Sequence, residues 1–145
     1  MPPKTATRMK VPAVGGGGFY PLHWSHDGRY LLGSITLPSG GMGGHALYDV
    51  VAGTVRQLTA DAGGQGIAWM PGATRVVYFT SSGALMIQDV ASPKAWREVL
   101  AKLPFPSDEL HSIATSPDGR TIYYGAAQVE ANIWKVEQPK AARQK

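Results

Sequence analysis

Ser116-Pro117-Asp118-Gly119-Arg120 stands between two apolar runs and recurs twice upstream, as Ser25-His26-Asp27-Gly28-Arg29 and, in worn form, as Met70-Pro71-Gly72-Ala73-Thr74. The residue types describe a turn. Proline presets φ at the second position of a type I turn, aspartate tolerates the third, and glycine supplies the positive φ that sends the chain into the next strand. Serine at the first position can bond the turn's own backbone. In the middle copy Pro71-Gly72 suits a type II turn, with Gly72 where φ must be positive. The residues just before the three turns, Trp24, Trp69 and Thr115, lie 45 and 46 residues apart.

A period in the forties, with a tight turn and several short strands per unit, is the signature of a β-propeller blade, which cannot bury its own faces alone. The first unit, about 20–59, reads as strands Tyr20 to Trp24, Arg29 to Ile35, His45 to Val50 and Thr54 to Thr59, with a long glycine-rich loop from Thr36 to Gly44. The second, about 66–100, reads as Gly66 to Met70, Arg75 to Ser81, Ala84 to Val90 and Ala95 to Leu100, with a tight hairpin turn at Ser82-Gly83. The third, about 110–137, offers Leu110 to Thr115, Arg120 to Ala126 and Ala131 to Glu137 and lacks an outer strand of its own. Ala6 to Val11 resembles the outer strands and is expected to be one. Residues 1–5 and 138–145 read as disordered basic tails. The expected fold is therefore all-β, a partial propeller of about three antiparallel four-stranded blades.

The second strands carry Leu31-Leu32, Val76-Val77-Tyr78-Phe79 and Ile122-Tyr123-Tyr124. Runs that do not alternate with polar residues predict burial on both faces, as between stacked sheets. Trp24 and Trp69, at equivalent positions, are expected in that core. Eighteen glycines and eleven prolines in 145 residues favour many turns over long helices.

Charge and cysteine content narrow the function. Of fourteen basic residues, Lys4, Arg8, Lys10, Lys140, Arg143 and Lys145 lie in the tails, so the body holds eight against ten acidic residues. A nucleic-acid surface would cluster its cations on one ordered face beside stacking aromatics, so no nucleic acid is expected. The absence of cysteine removes disulfides and thiolate metal sites. No apolar run approaches the roughly 18 residues of a membrane span, and Met1 to Lys10 lacks the apolar core of a signal peptide.

On these residues the chain resembles the TolB-like, WD-repeat-like propeller repeats of bacteria. Trp24-Ser25-His26-Asp27-Gly28-Arg29 and Thr115-Ser116-Pro117-Asp118-Gly119-Arg120 are similar to the family's Trp-Ser-Pro-Asp-Gly-basic hairpin, and Asn132-Ile133-Trp134-Lys135-Val136 to its third strand. His26 in place of proline, the worn middle turn and Asn132 in place of aspartate depart from the pattern. The resemblance covers roughly Ala6 to Glu137. It implies a protein- or peptide-binding module, extracytoplasmic or periplasmic if a longer parent is TolB-like. The alternative it implies is an accessory propeller of a prolyl-oligopeptidase-type peptidase or the sensor end of a bacterial serine/threonine kinase.

The residues themselves offer no catalytic, cofactor or metal site. His23 and His26 have metal-like spacing, yet a strand entering a turn points them apart and no third ligand is near in sequence. The glycine runs 15–18 and 40–44 are not followed by the Lys-Ser or Lys-Thr of a phosphate loop, and no serine sits in a Gly-x-Ser-x-Gly elbow. The turn residues Ser25, Asp27, Gly28, Pro71, Gly72, Ser116, Pro117, Asp118 and Gly119 are read as structural. Gly28 and Gly119 are expected to resist alanine, and Gly17 to tolerate it. Binding is expected on the opposite face, where the expanded connections Thr36 to Gly44 and Lys102 to Glu109 fall, with His45, Gln65, Asp108, Glu109 and Glu130 as candidates. Since closed propellers take four to eight blades, three should leave apolar end faces exposed, giving either self-association or poor solubility.

Overall fold

The computed structural model describes residues 9–61, 66–91 and 96–127. Ten strands follow in order: β1 (Gly18–Trp24), β2 (Tyr30–Thr36), β3 (Met42–Asp49), β4 (Thr54–Thr59), β5 (Ile67–Trp69), β6 (Arg75–Phe79), β7 (Ala84–Asp89), β8 (Arg97–Lys102), β9 (Leu110–Thr115) and β10 (Ile122–Ala126), with one 3-10 turn at Ser107–Glu109. They form two antiparallel four-stranded sheets, β1-β2-β3-β4 and β5-β6-β7-β8, and an antiparallel pair, β9 with β10. The protein is all-β. No helix among the described residues is long and apolar enough to cross a membrane.

The first and third turns are built alike. The amide of Gly28 donates to the Ser25 carbonyl and that of Gly119 to the Ser116 carbonyl, both at 2.9 Å. The Ser25 hydroxyl donates to the Asp27 carboxylate at 2.6 Å and accepts the Tyr30 amide at 2.8 Å; Ser116 repeats this with Asp118 at 2.6 Å and Thr121 at 2.9 Å. Each carboxylate also accepts the amide of the following arginine at 3.1 Å. Gly28 and Gly119 close the turns with φ of 71° and 69°. In the middle turn Gly72 has φ 88°, and Ala73, at the place of Gly28 and Gly119, is forced to φ 53°. A side chain there crowds its own backbone, a strain that glycine avoids.

Packing explains the unbroken apolar run of β6. Its side chains alternate between two cores. Val76 and Tyr78 meet Leu32 and Leu47 of the first sheet, with Leu58, Ile67 and Met86 around them. Val77 and Phe79 meet Leu110 and Ile113 of β9, with Leu85 and Ile87 beside them. Each fully buried side chain of this size stabilises by about 1.5–3 kcal/mol, so the middle sheet is the principal source of cohesion. Arg56 on β4 crosses the first seam and donates to the Val90 carbonyl.

Several expectations need correction. Met9 to Val11 are in no strand, and the remainder of the expected strand Ala6 to Val11 lies outside the described residues, as do Ala131 to Glu137 and the tail 138–145. The loop Thr36 to Gly44 is shorter than expected: Thr36 pairs with Met42, and Leu37-Pro38-Ser39-Gly40 closes a turn through the Gly40 amide on the Leu37 carbonyl at 2.9 Å. Its glycines 43 and 44 belong to β3, where a β-carbon at Gly44 would stand 1.8 Å from the Thr59 carbonyl oxygen. The β6–β7 turn spans Thr80 to Gly83, with the Gly83 amide on the Thr80 carbonyl at 3.0 Å, and is not confined to Ser82-Gly83. Gly17 is a close-approach position, since a β-carbon there would lie 2.3 Å from the Thr36 carbonyl oxygen. The outward face of the first sheet is not bare. Leu31, Ile35 and Tyr48 are buried, and the Phe19 ring fills the space over Gly33.

Candidate binding cleft

Up-and-down strand order places the turns β1–β2, β5–β6 and β9–β10 at the same end of their sheets, and side-chain bonds hold the three first strands in step. The Trp69 indole N–H donates to the His23 carbonyl at 3.4 Å, and the Thr115 hydroxyl donates to the Trp69 carbonyl at 2.8 Å. Both bonds join residues 46 apart, so the sequence period is also the spatial step between strands.

Where the turns converge, a cleft of about 580 Å3 opens between them, lined by Trp24, His26, Asp27, Trp69, Met70, Pro71, Gly72, Ala73, Thr115, Ser116 and Pro117. Its size falls within the range of small-ligand and peptide-anchor sites. The equivalent residues Trp24, Trp69 and Thr115 all contribute. Trp69 is half-buried, packed on the first core with its ring 6.4 Å from that of Tyr30. Trp24 is 54% exposed, which corrects the expectation that both tryptophans are core. Pro71 and Pro117 give the walls fixed backbone and no donor at those positions.

Asp27 is the ionised lining residue. Its Oδ1 takes both the Ser25 hydroxyl and the Arg29 amide, and these bonds hold its carboxyl below the usual carboxylate range. The nearby Arg29 guanidinium lies 3.2 Å from Asp49 and 4.9 Å from the Tyr30 ring centroid. The Ser116 hydroxyl on the cleft wall is spent on its own turn. Such a lining can hold an apolar or flat group against indole and proline surfaces and attract a cation. The two lining hydroxyls, of Thr115 and Ser116, donate to the Trp69 carbonyl and the Asp118 carboxylate. Among the described residues no three of His, Asp and Glu come together as a metal site requires.

The structure distributes the candidate residues unevenly. Asp27, Pro71, Gly72, Ser116 and Pro117 line the cleft, whereas Ser25, Gly28, Asp118 and Gly119 build the turns behind it. At the other end, one of the five candidates is buried. His45 is 0% exposed, its Nδ1 3.4 Å from the Ser34 hydroxyl and its ring edge-on to Tyr78. Facing the first core, it has no access to a partner. Asp108 is exposed and Glu109 half-buried beside β9, and Gln65 and Glu130 lie outside the described residues. The connection carrying Asp108 is tied down, because Leu103 and Phe105 pack on the second core and Phe105 lies 6.4 Å from Tyr124.

The cleft has no motif of its own in the sequence. The equivalence of Trp24, Trp69 and Thr115 was the available signal, since residues one repeat apart converge once neighbouring sheets stack in register. The sequence matches no protein-family model and no curated protein.

Proposed function

We propose that the chain is a non-catalytic binding module, a sector of a TolB-like β-propeller that holds a protein or peptide in the cleft between its repeated turns. The observation that carries this reading is the cleft: a half-exposed tryptophan on a floor of hydrogen-bonded turns, formed by equivalent residues of three units. A rigid scaffold presenting an aromatic anchor binds with little ordering cost. The propeller element is supported by the 46-residue step of the cross-strand bonds and by the middle sheet, packed on both faces.

Selection of a displayed random-peptide library on the whole chain tests it. Recovered peptides should bind with micromolar affinity, lose at least about tenfold on Trp24→Ala, and be indifferent to Asp108→Ala. Peptides that ignore Trp24 and respond to Asp108 would place binding at the other end and overturn the reading.

A further inference from the structure

We propose that the cleft recognises a cationic side chain, arginine, in an extended proline-flanked peptide, with the guanidinium stacked on Trp24 and paired to Asp27. This rests on the binding-module reading and names the ligand chemistry of the same site.

Three observations carry it. First, Asp27 is the one Asp, Glu, Lys or Arg among the lining residues, so the cleft has a local charge of one sign. Second, no cation among the described residues pairs directly with that charge. Only Oδ1 of Asp27 accepts bonds among the described residues, while Arg29, whose charge acts on Asp27 from nearby, places its guanidinium on Asp49 and Tyr30. Third, Trp24 presents a half-exposed indole in the same cleft, the best of the aromatic rings for a cation. A planar guanidinium can stack on an indole and still offer its edge N–H groups to a carboxylate, which an ammonium cannot do as well. Extended peptide flanked by prolines suits the Pro71 and Pro117 walls, because it enters already ordered and leaves its carbonyls free.

The same turn occurs twice, which supplies an internal control. Asp118 makes the same serine and amide bonds as Asp27 but does not line the cleft. Any effect of Asp27→Asn on the turn itself is therefore reproduced by Asp118→Asn.

The probe is a capped pentapeptide with arginine between two prolines, compared with the same peptide carrying citrulline. Binding to the full chain is followed by the tryptophan indole N–H resonances. The arginine peptide should shift the Trp24 resonance and bind about tenfold more tightly than the citrulline peptide at low salt. Asp27→Asn should abolish that preference, and Asp118→Asn should preserve it. Equal affinity of the two peptides, both lost in Trp24→Leu, would overturn the arginine assignment while leaving the cleft as a peptide site. No perturbation of Trp24 by either peptide at millimolar concentration would overturn the arginine assignment outright. The library selection separately decides whether the cleft binds peptide at all.

Discussion

The Thr115 hydroxyl donates to the Trp69 carbonyl at 2.8 Å, one repeat away, and so ties the third first-strand to the second. Thr115→Val keeps the shape of the side chain and removes the donor. It should cost about 1 kcal/mol, while Thr115→Ser should cost less. Denaturant midpoints of the two variants check this, and a loss in Thr115→Ser with none in Thr115→Val would assign the effect to the methyl group.

Ala73 holds the left-handed position that glycine fills in the sister turns. Ala73→Gly should therefore stabilise the protein, by roughly 0.5–1 kcal/mol, even though glycine ordinarily carries an entropic penalty. Gly28→Ala should destabilise by a similar amount with open space around the new methyl group. A destabilised Ala73→Gly variant in thermal unfolding would mean that the middle turn relaxes its strain in another way.

Gly17→Ala should destabilise by at least about 1 kcal/mol, because the new methyl group would meet the Thr36 backbone carbonyl and not a yielding side chain. The measurement is the urea midpoint beside that of Gly18→Ala, a neighbour with open space. Equal midpoints would remove the close approach from the account.

His45 supplies a pH dependence. Burial pushes its pKa down to about 4, against an ordinary value of 6.5, and Nε2 has no partner among the described residues. Between these values the unfolded chain takes up a proton that the native state refuses, so stability falls as pH drops from about 6.5 towards 4. The loss is about 3 kcal/mol over that window. Asp27, Asp49, Asp61 and Asp118 are all held below the ordinary carboxylate value of 3.8, so their contribution is lost below the window. His45→Leu should flatten stability between pH 6.5 and 4, and a slope unchanged in that variant would contradict the assignment.

What was legible in the sequence was local chemistry with a short reach. Thr54 to Thr59 and Leu110 to Thr115 are strands with the bounds expected of them, and both four-stranded units are present, because strand periodicity and turn residues act within a few positions. The turn Leu37-Pro38-Ser39-Gly40 carried the same signal as Ser116-Pro117-Asp118-Gly119 and was obscured by the glycines after it, which serve close strand packing. His45 and Trp24 reverse the exposures that their sequence positions suggest, for a different reason. A histidine at a strand's loop end reads as exposed, and a tryptophan repeated at Trp69 reads as core. Which of them meets solvent is decided by the neighbouring sheet: Tyr78 covers His45, while the cleft leaves Trp24 half-exposed.

The central claim is that partners bind at the turn end of the sheets. It is tested most directly by mapping backbone and indole amide shifts as a peptide recovered from the library is titrated into the chain. The account predicts perturbations at Trp24, Asp27, Gly72 and Ser116, with Asp108 and Glu109 unmoved. Perturbations gathered at Leu103 to Glu109 and Ser81 to Gly83, with Trp24 silent, would contradict it.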